Sequence, residues 1–387
     1  MQTPIITSLL DTDLYKFTMM QCVFHHFPMV KCRYHFKSRK KVNLKPYIEY
    51  IKEQILSLCA LTLKQDELDY LAALPFMRPD FIEYLRNFKL NPNYVNVQII
   101  DDNLDIAIEG PWLHTILFEV PLLAIVSETY YQYQFHPTSL ETGRQRLEQK
   151  IQYVREANVP GFRFSDFGTR RRFSKAWQHE LIQTLQRELT DHLQGTSNIW
   201  CAKEYHLKPV GTMAHEFLQA AQVLAPSIET SQKFALKTWA TEYPHQLGVA
   251  LTDVFSMDAF LKDFDESLAH HYEGLRQDSG DPFEWSKKAI QHYQKLEIDP
   301  QTKRLVFSNG LTFEKAIAIY NQFKGETKLF FGIGTNLTND VGYDPLDIVI
   351  KLTHTNDQPV IKISDSPGKT ICESDELLQR VKKIFNI

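Results

Sequence analysis

Leu207-Lys-Pro-Val-Gly-Thr-Met-Ala-His-Glu-Phe217 reads as the end of a short strand, a glycine turn and the start of a helix. Lys208-Pro-Val210 supplies the strand, Gly211-Thr212 the turn, and the apolar run from Phe217 to Ala221 the helix. In α/β enzymes, ligands are held at such strand-to-helix junctions. The histidine in this stretch, His215, taken alone reads more readily as a structural helix-start residue than as a chemical group.

The same rhythm recurs on both sides. Leu247-Gly-Val-Ala-Leu-Thr-Asp253, Leu305-Val-Phe-Ser-Asn-Gly310 and Lys328-Leu-Phe-Phe-Gly-Ile-Gly-Thr-Asn336 are apolar runs that end in small or polar residues. Asn198-Ile-Trp-Cys-Ala202 is a further short strand candidate, and helices are expected over 143–157, 173–185 and 312–323. Short apolar strands that each lead into a helix predict a parallel βα barrel or a related layout. The tail 346–363 reads as strands ending in a turn at Ser364-Asp-Ser-Pro-Gly368.

Before residue 138 the pattern is different. Lys31-Cys-Arg-Tyr-His-Phe36 alternates as a half-buried strand does, and helical spacing runs through 46–90 and 116–133. Val95–Ile100 and Leu104–Ile108 are strands joined by a polar turn at Asp101-Asp-Asn103. This predicts an α+β N-terminal domain over 1–138 and a barrel domain over 139–345. Asp11 or Asp13 is placed to cap the first helix.

Composition narrows the function classes. The chain has 387 residues, 43% hydrophobic and 23% charged, and a formal charge of −4. That balance gives no electrostatic reason for nucleic-acid or membrane partners. Five scattered cysteines with no C-x-x-C pair suggest neither a zinc site nor a disulfide framework, and free thiols fit the cytoplasm. The N-terminus lacks the basic-then-apolar pattern of a signal peptide, and no apolar run approaches the roughly 18 residues of a membrane span.

Arg276-Gln-Asp-Ser-Gly-Asp281 crowds an arginine, two carboxylates and a hydroxyl into one turn. Arginine can clamp a phosphate, and the carboxylates can accept from ribose hydroxyls or hold hydrated Mg²⁺. The alternative is a charged surface turn. Ser308-Asn-Gly310 and Gly332-Ile-Gly-Thr-Asn336 follow strands and let backbone N–H groups approach a phosphate. The second lacks the last glycine of a dinucleotide fingerprint. Ser366-Pro-Gly-Lys-Thr370 lacks the first glycine of a P-loop and reads as a hairpin turn, and Gln219 breaks a zinc-protease pattern at His215-Glu216. Asp166-Phe-Gly-Thr-Arg-Arg-Arg172 joins an aromatic to three arginines, which suits a flat anionic heteroaromatic ligand; a basic helix face would explain one or two of the arginines.

Together, six stretches resemble the bacterial nicotinate phosphoribosyltransferase family. They are Asp11-Thr-Asp-Leu-Tyr-Lys-Phe-Thr-Met-Met20, Phe164-Ser-Asp-Phe-Gly-Thr-Arg-Arg171, Gly211-Thr-Met-Ala-His-Glu216, Gly274-Leu-Arg-Gln-Asp-Ser-Gly-Asp281, Phe307-Ser-Asn-Gly310 and Phe331-Gly-Ile-Gly-Thr-Asn336. Their order spans essentially the whole chain. The resemblance implies an irregular TIM-like α/β barrel, of the type II phosphoribosyltransferase kind. With it goes an α+β N-terminal domain joined by C-terminal strands 346–387. It also implies transfer from 5-phosphoribosyl 1-pyrophosphate (PRPP) to nicotinate, giving nicotinate mononucleotide and pyrophosphate, coupled to ATP hydrolysis in NAD salvage.

Carried over by residue, the resemblance assigns Tyr15 and Phe167 to sandwich the pyridine ring and Arg170 to its carboxylate side. Arg276 and Asp278 bind the phosphoribosyl group, with Asp278 a catalytic residue on the ribose hydroxyls. Gly310, Gly334 and Thr335 hold the 5′-phosphate, with Ser308 also substrate-binding. Arg39 reaches the pyrophosphate. His215 is the residue phosphorylated by ATP. Mg²⁺ would come with PRPP and ATP, with no protein ligands assigned to it. The partners are these small molecules, in a monomer or homodimer. Whether Tyr15 and Arg39 serve their own chain's site or a neighbour's stays open. Competing readings are a nicotinamide-using phosphoribosyltransferase, a phosphate-binding barrel lyase or aldolase, and a ligand sensor without catalysis.

Overall fold

The computed structural model describes residues 3–40, 42–135, 140–366, 370 and 372–387. In chain order the strands are β1 (Lys31–Ser38), β2 (Val95–Ile100), β3 (Asn103–Pro111), β4 (Phe164–Asp166), β5 (Leu193–Thr196) and β6 (Lys208–Pro209). They continue as β7 (Val249–Leu251), β8 (Gly274–Gln277), β9 (Arg304–Phe307), β10 (Lys328–Ile333), β11 (Ile348–Thr355) and β12 (Gln358–Pro359).

An antiparallel sheet runs in the order β12-β11-β1-β3-β2. The alternation seen in the sequence is its pleat: Cys32, Tyr34 and Phe36 of β1 and Leu104, Ile106 and Ile108 of β3 are buried. Asp101 and Asp102 take positive φ (47° and 62°) at the β2–β3 turn, which short polar side chains tolerate. The C-terminal β11 pairs with β1 over Cys32–Ser38, so the two ends of the chain share one sheet.

The second sheet is parallel, in the order β6-β5-β4-β10-β9-β8-β7. Its first and last strands, β4 and β10, are neighbours, so the sheet wraps as a barrel does. Between the edge strands β6 and β7 the link is a side chain: Thr212 Oγ1 donates to Val249 O at 3.1 Å. β4 and β7 are buried throughout, as strands covered on both faces are. The interior is aromatic, with Phe307 and Phe331 stacked at 5.3 Å and Phe164 edge-on to Phe313 at 4.8 Å. The fold is thus the irregular α/β barrel with an α+β N-terminal part that the resemblance implied.

Several local readings change. Asn198–Ala202 is not a strand: the Asn198 side chain accepts from Cys201 N at 2.9 Å and caps a helix, Ile199–Glu204. The helical stretch 46–90 is broken into Ile48–Cys59, Gln65–Ala72 and Pro79–Arg86. Arg276 and Gln277 lie on β8 rather than in a surface turn. Asp281 caps the following helix, its Oδ1 accepting from Phe283 N and Glu284 N, both at 2.9 Å, and it does not line the cavity described below. Asp13 stands at the start of the first helix but makes no side-chain cap. Trp112–Gln134 is in fact long and apolar enough to cross a membrane, with mean hydropathy 1.2, yet it is 94% buried inside the protein and serves as core. The expected boundary at 138/139, Lys41 and the 367–369 part of the Ser366–Thr370 turn lie outside the described residues.

Candidate active site

A cavity of about 730 Å³ opens at the C-terminal ends of the barrel strands. It is lined by Tyr15, Arg39, Phe167, Arg170, His215, Arg276, Asp278, Ser308, Gly310, Gly334 and Thr335, which are all the residues singled out from the sequence. Tyr15 and Arg39 reach it from the same chain as the barrel.

His215 opens the helix that follows β6. Its ring is buried, and Nε2 lies 2.7 Å from Asp253 Oδ1 and 3.7 Å from Asp278 Oδ2. Burial, reinforced by Lys362, pushes the imidazole down to about 4 against the pull of Asp253. A neutral His215 donates from Nε2 to ionised Asp253, which leaves the lone pair on Nδ1. Asp253 stands just after β7. Its other oxygen accepts from Ser279 Oγ at 2.7 Å and faces Lys362 Nζ at 3.0 Å. Burial opposes the Asp253 charge, but His215, Lys362 and Ser279 outweigh it and hold the carboxyl well below its usual range.

The ring end is built on the β4 exit. Asp166 accepts from Gly168 N at 2.9 Å, Gln178 Nε2 at 2.9 Å and Thr196 Oγ1 at 2.8 Å, which fixes the turn bearing Phe167 and Arg170. None of the three arginines forms a basic helix face. Arg172 is fully buried, bidentate to Asp11 at 2.6 and 3.0 Å and bonded to Glu128 at 2.7 Å. Arg171 pairs with Asp347 at 2.9 Å, and Arg170 enters the cavity 3.7 Å from Glu119. Glu119 in turn meets the buried Lys16 at 2.5 Å, and Lys16 also pairs with Glu216. Glu216 accepts from Tyr34 Oη at 2.9 Å and Trp112 Nε1 at 2.8 Å, so the residue beside His215 is anchored in the antiparallel sheet.

At the other end, Asp278 Oδ1 accepts from Ser308 Oγ at 2.8 Å. Burial works against the Asp278 charge, but His215 and Lys362 hold its carboxyl below the usual range. Arg276 donates to Met213 O at 3.2 Å, while its Nε is buried without a partner among the described residues. Gly310 has φ +54° and open space where a Cβ would stand, so its backbone faces the cavity bare. Arg39 shares Asp347 with Arg171. Lys351 of β11 adds an amine pushed down to about 7 by burial, Lys362 and Arg170.

Sequence reasoning noted Asp253 only as the end of a strand and missed Lys351, Lys362, Glu119, Asp13 and Ser197, all but Asp253 lining the cavity. Asp253 and Asp278 had a usable signal, a carboxylate directly after a barrel strand. The lysines had none, because Lys351 lies on β11 of the other sheet and Lys362 just beyond β12. His215, Asp253 and Asp278 bring ligand atoms within 4.8 Å of one another. Asp253 is already held by three partners, so Asp278 is the oxygen donor with coordination to spare for a hard cation.

The Nicotinate phosphoribosyltransferase (NAPRTase) family matches residues 162–387, and the NAPRTase N-terminal domain matches residues 10–127. A nicotinate phosphoribosyltransferase of Burkholderia mallei is 49% identical over 99% of this chain and 97% of its own. One of Ralstonia nicotianae is 47% identical over 99% of this chain and 100% of its own. The crystal structure of nicotinate phosphoribosyltransferase from Vibrio cholerae superposes with a TM-score of 0.96 at 39% identity, covering 100% of this chain and 95% of that one.

Proposed function

The chain belongs to the nicotinate phosphoribosyltransferase family, and from that premise we propose that it joins nicotinate to PRPP with release of pyrophosphate, coupled to ATP hydrolysis through a phosphohistidine at His215. The reaction would supply nicotinate mononucleotide to NAD salvage in the cytoplasm. The observation that carries this reading is the convergence of Tyr15, Phe167, Gly310, Arg276 with an Nε unpartnered among the described residues, and His215, itself held by Asp253, on one cavity.

Displacement at the ribose C1 passes through a cationic, oxocarbenium-like state, so the task is positioning and charge stabilisation. Tyr15 and Phe167 hold the pyridine ring, and Arg170 faces its carboxylate. Asp278, kept ionised, accepts from the ribose hydroxyls and offsets positive charge as C1 loses pyrophosphate. Arg276 binds the phosphoribosyl group beside Asp278 and Ser308, and Gly310, Gly334 and Thr335 take the 5′-phosphate, while Arg39 and Lys351 face the leaving group. Mg²⁺ carried on the polyphosphates would neutralise the departing charge, with Asp278 its protein contact. His215 Nδ1 attacks the ATP γ-phosphorus and ADP departs; Nε2 keeps its proton, donated to Asp253, whose charge stabilises the ring as it gains charge. The presence of Tyr15 and Arg39 in their own chain's cavity supports a site that one chain completes.

The test is incubation with nicotinate, PRPP and ATP, with the product identified by mass. Nicotinate mononucleotide and pyrophosphate are expected. Turnover of nicotinamide in place of nicotinate would overturn the substrate assignment.

A further inference from the structure

The first helix begins with a carboxylate that the mechanism above does not use. Asp13 is 4% exposed, lines the cavity two residues before Tyr15, and makes no ion pair among the described residues. It does not cap its helix. Instead it accepts from Ser197 Oγ at 2.7 Å, and Leu14 N donates to Ser197 O at 2.8 Å, so the helix start and the β5 exit are clipped together at the ring end.

The cations there are already engaged. Lys16 and Arg170 face Glu119 and Glu216, and the charge of Lys351 also reaches Glu119. None of them forms an ion pair with Asp13 among the described residues, and Arg170 acts on it without a direct contact. The titratable groups that face it are Arg170 from the turn after β4, Asp166 from β4 and Tyr15 from its own helix, with the hydroxyls of Ser197 and Thr169 beside them. A ligand carboxylate brought to this end would stand near Asp13 with one guanidinium between two anions. A buried acceptor-only group is poorly matched to an acceptor-only ligand.

We propose that Asp13 is a specificity-determining residue that takes up a proton when nicotinate binds, so that the Asp13–Ser197 pair offers the ring carboxylate a hydrogen-bond donor in place of a charge. This rests on the reading of the cavity as a nicotinate site. The proton comes from solvent and ends on the Asp13 carboxyl, which donates to Ser197 Oγ, and the Ser197 hydroxyl hydrogen turns to the ligand. No covalent bond changes. In the free protein burial already raises the Asp13 carboxyl to about 6, so the group is poised for this uptake. A second carboxylate raises it further. The favourable term is complete below about pH 6 and is lost as pH rises through the value of the bound state. Formation of the glycosidic bond makes the ring cationic, which favours return of the proton to solvent.

Lys351 titrates in the same window and also faces the cavity, so the experiment must separate the two. Nicotinate binding to the full chain is measured by calorimetry at pH 7.5 in buffers of different ionisation enthalpy, for wild type, Asp13→Asn and Lys351→Met. Wild type and Lys351→Met are expected to take up about one proton and Asp13→Asn none. Between about pH 6 and the bound-state value the wild-type dissociation constant for nicotinate should rise by up to about tenfold per pH unit and level off above it, and that of Asp13→Asn should stay flat. The neutral carboxamide, nicotinamide, should bind wild type without uptake. Uptake that vanishes in Lys351→Met, or that accompanies nicotinamide equally, overturns the proposal, and both readings hold even if Asp13→Asn does not fold. Nicotinate turnover by wild type is checked in parallel, since its absence would sink the substrate assignment and not the proton count.

Discussion

Asp253 holds His215 from behind: its Oδ1 meets Nε2 at 2.7 Å while its Oδ2 takes the Ser279 hydroxyl at 2.7 Å and the Lys362 ammonium at 3.0 Å. The carboxylate therefore has one free role, to fix the tautomer and aim of the ring. Asp253→Asn keeps the shape but weakens the acceptor. ATP-stimulated turnover should fall on the order of 100-fold, the scale of losing one preorganised electrostatic group. Turnover without ATP should change little. Acid-labile phosphate incorporation from labelled ATP reads the same step directly, and incorporation at the wild-type rate would remove Asp253 from it.

His215→Ala should abolish the stimulation by ATP while leaving nicotinate binding nearly intact, because the ring contacts lie on the β4 exit and the first helix. Comparing turnover with and without ATP, beside the nicotinate dissociation constant, checks both halves. If ATP stimulates the variant as much as wild type, the phosphohistidine role fails.

The pH profile of His215 phosphorylation follows from its environment. The reactive form is neutral, and burial with Lys362 depresses the group to about 4. The nucleophile is present at neutral pH and is lost as pH falls through about 4, not through the usual histidine range near 6.5. Rapid-quench phosphorylation rates between pH 4 and 8 should be flat above about 5. A midpoint near 6.5 would mean that the ring is more solvated than this packing allows.

Arg172 does not line the cavity and is fully buried against Asp11 and Glu128. Arg172→Met leaves Glu128 without its cation and Asp11 with only Lys175 at 3.5 Å, and should cost about 3–5 kcal/mol. The sign is that of breaking a pair, so Asp11→Asn should also destabilise the protein. The urea midpoints of the two variants against wild type measure it, and an unchanged midpoint would mean that water reaches the cluster.

How much of this was legible in the sequence depended on distance along the chain. Arg276 and Asp278 are separated by one residue, and Phe167 and Arg170 by two, so their grouping could be read locally. Asp253 lies 38 residues from His215, Lys351 sits on β11 and Lys362 just beyond β12, so only the fold brings them in. Asn198 was misread because its apolar followers Ile199 and Trp200 suit a strand, while the side-chain cap that starts a helix is invisible to periodicity. The role of Asp11 was misread for a related reason. Capping is the local use of an aspartate, and the partner that overrides it, Arg172, is 161 residues away.

Gly332 packs its bare Cα against the ring of Phe167. A Cβ on it would stand 2.2 Å from Phe167 Cδ2 and 2.8 Å from its Cγ, too close for the ring to stay. Because the clash reaches Cγ, the phenyl group must leave its rotamer rather than tilt at its tip. Gly310 has nothing within 4 Å of its Cβ position, so Gly310→Ala suffers only the left-handed backbone, about 1–2 kcal/mol, in the loop facing the phosphate. Gly332→Ala should therefore raise the nicotinate KM by about tenfold or more, the worth of one stacked aromatic contact, and leave the PRPP KM unchanged. Gly310→Ala should do the reverse. Steady-state kinetics with each substrate varied in turn decide the matter. If both variants shifted both constants equally, the ring and phosphate ends of the cavity would be one coupled site rather than two.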